Sequence, residues 1–147
     1  MKEEIIEILI RDLGRLHTEI SAFRDEENLW RTTGSVTNCA GNIALHLIGN
    51  LNHYVGLKIG NTGFKRDRVG EFSLKNIPRS KILHDIKQIQ SMIPDVLNRL
   101  EDEELNKDFP EEVFGHSMTS KFFLIHLSGH LMYHLGQINY LRRILEA

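Results

Sequence analysis

Three histidines, His126, His130 and His134, recur every fourth residue in KFFLIHLSGHLMYHLGQINYLRRILEA, the C-terminal stretch of the chain. On a helix this spacing stacks them along one face. Two imidazoles at i and i+4 can converge on one metal ion, as they do in HExxH zinc sites. No Glu follows the first His here, so the metalloprotease signature is absent. Three collinear histidines span about 12 Å of helix, more than one ion bridges. One end of the trio is therefore spare, and a ligand from another element must complete any site. His46 and His53 share a face in NIALHLIGNLNHYVG, with Asn50 between them, and Gly49 and Gly56 allow a partner helix or ligand to come close. His46 with two of the C-terminal histidines makes a three-imidazole site with open coordination positions, the catalytic rather than the structural arrangement. Each of these histidines taken alone is more often a hydrogen-bonded or exposed residue than a ligand. His17, His84 and His116 have no partners in sequence and read as surface or local structure.

Four helical segments would have to position these residues. Ile5, Ile6, Leu9, Leu13, Leu16, Ile20 and Phe23 make one apolar stripe on a first helix from about Lys2 to Phe23. Asp25 to Val36 reads as a connection. A second helix is expected to begin near Asn38 to Asn42, capped by Asn, and to continue to about Ile59, with Leu45, Ile48, Leu51, Val55 and Ile59 on its apolar face. Gly60-Asn61-Thr62-Gly63 should terminate it. A loop of about 17 residues follows, long enough to suggest a functional role. The third helix should start just after Pro78 and carry Ile82, Ile86, Ile89, Ile93, Val96, Leu97 and Leu100, kinked or split at Pro94. Glu101 to Pro110 connects to a fourth helix that opens near Ser117 to Ser120, with Thr119 a plausible cap. No strand alternation competes, so the pattern predicts an all-α four-helix bundle with long connecting loops over residues 1–147. Because two of the three connections are long, a simple up-and-down order does not follow.

Composition narrows the function classes. The 147 residues suit one domain, and 41% hydrophobic residues suffice for a core. Eighteen basic residues against 20 acidic ones argue against a broad nucleic-acid surface. A lone cysteine, Cys39, excludes an intramolecular disulfide and a cysteine zinc cage, and its expected state is buried and inert. No apolar run approaches the ~18 residues of a membrane span, and the acidic N-terminus is unlike a secretory signal. The expectation is a soluble, cytoplasmic protein acting on a small molecule.

The motifs themselves resemble a known family. His130-Leu-Met-Tyr133-His134-Leu-Gly136-Gln137-Ile138 resembles the HxxxHxGQ signature closing the DinB/YfiT-like superfamily of metal-binding four-helix bundles. Asn42-Ile-Ala-Leu-His46-Leu-Ile-Gly49-Asn50 resembles its second-helix motif, about 84 residues earlier. Arg66-Asp67-Arg68 followed by Glu71-Phe72 is similar to the loop of one uncharacterised branch, so the likeness covers nearly the whole chain. The resemblance implies His46, His130 and His134 as ligands of a divalent ion, zinc or nickel first, at one end of the bundle. It leaves His53 and His126 to line the cavity, and it implies a homodimer. Characterised members of the superfamily include S-transferases that use bacillithiol, mycothiol or glutathione, and maleylpyruvate isomerases. The implied activity is activation of a small thiol for attack on an electrophile; the alternative is a non-catalytic, metal-binding stress-response dimer.

Around such an ion, Asn50 and Gln137 are candidates to accept from the outer ring nitrogens of the histidines, or to bond within the bundle. Arg66 and Arg68 suit the carboxylate of a thiol cofactor, or else pair with Glu71 or Asp67. Tyr133 points about 100° away from the His pair and is expected to pack on a neighbouring helix.

Overall fold

A computed structural model describes residues 1–147. Its helices are α1 (Lys2–Ala22), α2 (Ala40–Leu51), α3 (Arg68–Ser73), α4 (Arg79–Leu97), α5 (Asp102–Leu105) and α6 (Ser120–Leu145), with a 3-10 turn at Glu26–Trp30 and no strands. The four long helices form the bundle. Helix α1 packs against α4 and α6, and α2 packs against the same two from the other side. Sequence neighbours α1 and α2 therefore sit across a diagonal, as do α4 and α6, so residues 23–39 and 98–119 cross the bundle, while the long loop after α2 joins two adjacent helices.

The expected stripe of α1 is buried in full, from Ile5 to Phe23. Leu47, Leu51 and Val55 meet Ile82, Ile86, Ile89 and Ile93 of α4, and Leu127, Leu131 and Ile138 of α6, in one continuous core. Pro94 neither splits nor ends α4. It lies in the last turn, where its missing N–H removes a single ladder bond. Thr119 caps α6 as expected, accepting from Phe122 N at 3.1 Å.

Helix α2 departs from the sequence expectation at both ends. Cys39 rather than an asparagine stands at its N-cap, with no side-chain cap bond. Beyond Leu51 the helix continues as a π-helical stretch, Asn52–Leu57. The chain then reverses within the expected Gly60-Asn61-Thr62-Gly63 run, through Asn61 and Gly63 at φ 51° and 76°. Almost every residue of α2 is buried, because α3, folded from within the long loop, covers the side that faces away from the bundle. Asn42 fastens this cover: its Nδ2 donates to Glu71 O at 2.9 Å and Leu74 O at 2.8 Å. Its Oδ1 accepts from the buried Cys39 thiol at 2.9 Å and from Lys75. The acidic run at Glu101 forms the short α5 through a capping box with Glu104. No helix is long and apolar enough to cross a membrane.

Candidate metal centre

Helices α2 and α6 lie side by side, and their histidines meet across the seam. One ring nitrogen from each of His46, His130 and His134 falls within 4.8 Å of the others. His46 Nε2 stands 3.2 Å from His130 Nε2. The ring centroids of His46, His130 and His134 are 4.6 to 5.2 Å apart, and each pair is edge-to-face. His130 and His134 come from adjacent turns of α6, and His46 is buried on α2. Phe72 of α3 covers the His46 ring at 5.0 Å.

Two of the three imidazoles are held from behind. His46 Nδ1–H donates to Glu71 Oε1 at 3.0 Å, and His134 Nδ1–H donates to Gln137 Oε1 at 2.7 Å. A donor bond at Nδ1 fixes the tautomer and leaves the Nε2 lone pair free for a ligand. Glu71 is itself gripped by Arg66, whose Nε and Nη2 reach its two oxygens at 2.8 and 2.9 Å. Burial alone would raise the Glu71 pKa. The bonds from His46 and Arg66, with the guanidinium charge, hold it below the ordinary range. Arg66 in turn lies over the Tyr54 ring, 5.6 Å from its centroid, on the π-helical stretch.

Gly49 makes this arrangement possible. A Cβ there would stand 2.6 Å from Glu71 Cδ, so only glycine leaves a notch for the carboxylate. The small residue in the HLIGN motif thus admits a side chain of this chain, neither a partner helix nor a ligand.

Two of the imidazoles are pushed toward their uncharged form. Burial, and then the neighbouring His134, His46, His126 and Arg66, press His130 down to about 4. Burial also lowers His134, against an opposing contribution from the Gln137 bond. Neutral rings present lone pairs, which is the state a cation requires.

The remaining candidates are placed as follows. Gln137 is at His134. Asn50 is buried three residues from His53, and its Oδ1 has no partner, as has His130 Nδ1. His126 is exposed, its ring stacked 6.1 Å from His130. His53 points elsewhere: its Nε2–H donates to Glu111 Oε2 at 3.1 Å. Arg66 takes the Glu71 pairing of its two alternatives, and Arg68 stands exposed on α3. Tyr133 packs on no neighbouring helix; it is 66% exposed, with its ring 5.2 Å from His134. The residue that sequence reasoning left out of the site is Glu71 itself. The signal available was Gly49, a glycine inside an apolar helix one turn from His46, which requires something bulky close by.

Comparison with protein families matches residues 7–147 to DUF1572, a DinB-like family whose description is "protein of unknown function". The chain belongs to that family. No curated protein matches it. Among solved structures, this DUF1572 chain is similar to YfiT from Bacillus subtilis, with a TM-score of 0.79 and 17% identity over 99% of this chain and 87% of that one. YfiT is described as "a probable metal-dependent hydrolase with an unusual four-helix bundle topology". At that identity the likeness establishes the fold, and it agrees with the diagonal helix order seen in the DUF1572 chain.

Proposed function

We propose that this protein binds one divalent ion through Nε2 of His46, His130 and His134 and uses it to activate a nucleophile against a small electrophile. The observation that carries the reading is the convergence of three imidazoles, two with their outer nitrogens already held by Glu71 and Gln137. Three nitrogen donors leave an open position, and the donor set suits zinc or nickel. A divalent ion there supplies Lewis acidity, which lowers the pKa of a water or thiol that it binds. The chain's own part is to hold its donors ready. Glu71 and Gln137 keep the Nδ1 protons of His46 and His134 in place, Arg66 keeps Glu71 ionised, and Phe72 keeps water off the His46 ring.

Water fits this chain better as the nucleophile than a thiol of the bacillithiol or glutathione type. Those thiols carry carboxylates that need cations, and Arg66 is committed to Glu71 while Arg68 stands exposed on α3. The description of YfiT supports the same class of reaction. A cytoplasmic homodimer completes the reading, with the outer face of α6 as the contact surface: Phe122, Ile125 and Met132 are large apolar side chains left exposed there.

The test is to load untagged protein with zinc, nickel or manganese and assay two reactions. One is hydrolysis of p-nitrophenyl butyrate. The other is conjugation of monochlorobimane to each thiol. Metal-dependent ester hydrolysis that His46→Ala abolishes is the expected result. Equal rates for His46→Ala and wild type would overturn the proposal, and conjugation without hydrolysis would restore the transferase. Stoichiometric metal with neither reaction would favour the non-catalytic stress-response dimer.

A further inference from the structure

Between residues 35–38, just ahead of α2, and the C-terminal half of α6 runs a groove of about 780 Å³, within the range of small-molecule sites. His134 and Gln137 form part of its wall, so the groove begins where the histidine cluster ends. No Lys, Arg, Asp or Glu lines it, although 26% of the chain is charged. Val36, Tyr133, Tyr140 and Ile144 line it and are all large apolar side chains left exposed. The other bundle helices behave differently: neither α1 nor α4 exposes one large apolar side chain.

Gly136 sharpens the point. It lies inside α6 and lines the groove, where glycine is less favourable to a helix than alanine. A Cβ at this position would meet nothing within 4 Å, and its φ is ordinary. Neither packing nor backbone conformation within the chain calls for glycine. Its missing side chain keeps space open two residues from His134.

We infer that this groove is the substrate subsite and that it selects an uncharged molecule with an aromatic or alkyl body, whose reacting end lies at His134. An anionic body would lose its hydration on entering and find no Lys or Arg in the lining. Tyr133 offers a ring face, Tyr140 carries Arg143 over its own ring at 5.7 Å, and Ser35, Thr37 and Asn38 offer neutral hydrogen-bonding groups. The placement of the reacting end rests on the metal-centre reading; the neutrality of the occupant rests on the groove alone.

A matched pair of dyes separates the two. N-phenyl-1-naphthylamine is uncharged, and 8-anilino-1-naphthalenesulfonate has the same ring system with a sulfonate added. Metal-free protein should bind the neutral dye at least tenfold more tightly than the sulfonate. Gly136→Leu, which fills the groove, should abolish that binding. Gly129→Leu should retain it, because Gly129 also has nothing within 4 Å of a Cβ but lies outside the groove. With zinc added, 4-phenylbutanehydroxamic acid should bind at least tenfold more tightly than acetohydroxamic acid, and Gly136→Leu should remove the difference. Equal affinity for the two dyes, undiminished binding in Gly136→Leu, or loss of dye binding as a second copy fills the groove on concentration would each overturn the inference. Neutral-dye binding by a protein that takes up no metal would overturn the metal reading and leave the neutral groove standing.

Discussion

Glu71 Oε1 lies 3.0 Å from His46 Nδ1 while both Glu71 oxygens are bound by Arg66. A residue of the loop helix α3 thereby sets the orientation of an imidazole on α2. Loss of such a partner typically lowers metal affinity about 10–100-fold, and that range is the expectation for Glu71→Ala. Gly49→Ala should weaken binding in the same direction, because its new methyl occupies the carboxylate's place. Competition for zinc against a chromophoric chelator measures both.

Gln137 does the same service for His134 at 2.7 Å. Gln137→Leu should weaken zinc binding by about tenfold, whereas Gln137→Glu, which keeps an acceptor at that position, should not. Equal losses in the two variants would mean that Gln137 acts through packing. The same chelator competition reads both.

Glu146, at the end of α6, ties that end to the segment that follows α1. Its carboxylate accepts from Arg24 N at 2.9 and 3.0 Å, Asp25 N at 3.2 Å and Asn28 Nδ2 at 3.1 Å. Burial works to raise its pKa, but these bonds outweigh burial and hold it below the ordinary range. A depressed folded-state pKa contributes stability above the unfolded value of about 4.3, which disappears as the pH falls through the folded value. Glu146→Gln should therefore lower Tm by about 2–4 °C at pH 7, from roughly 1 kcal/mol. The gap should close as the solution is acidified past the folded pKa. Thermal melts of both proteins from pH 7 to pH 3 check the sign.

If the outer face of α6 joins two copies, a charge at its centre must disrupt them. Ile125, exposed on that face, is the position to change. Ile125→Asp should convert the dimer to a monomer in sedimentation equilibrium without altering the helical signal in circular dichroism. A wild-type protein that sediments as a monomer would remove the dimer from the account.

The bundle was legible because its apolar residues repeat at helical spacing over long stretches: every expected stripe residue of α1 is buried. The histidines were legible for a related reason. Residues four apart on one helix must be neighbours, so His130 and His134 needed no tertiary information to be paired. The helix seam that brings His46 to them came from the resemblance, since no local pattern says which faces meet. Glu71 escaped because it lies on a six-residue helix folded from the long loop, 25 residues from His46, where neither periodicity nor propensity predicts what a side chain touches. The π-helical end of α2 was missed in a similar way. The stop itself was legible, because Gly60-Asn61-Thr62-Gly63 supplies the residues that turn the chain, Asn61 and Gly63 at positive φ.

The most direct test of the central claim is an anomalous difference map from crystals grown with zinc or nickel, collected on both sides of that element's absorption edge. The account predicts one peak per chain, at about 2.0–2.1 Å from Nε2 of His46, His130 and His134, and none in His46→Ala. Crystals of metal-treated wild-type protein without a peak between those three imidazoles, or with the ion held at His53 and Glu111 instead, would contradict it.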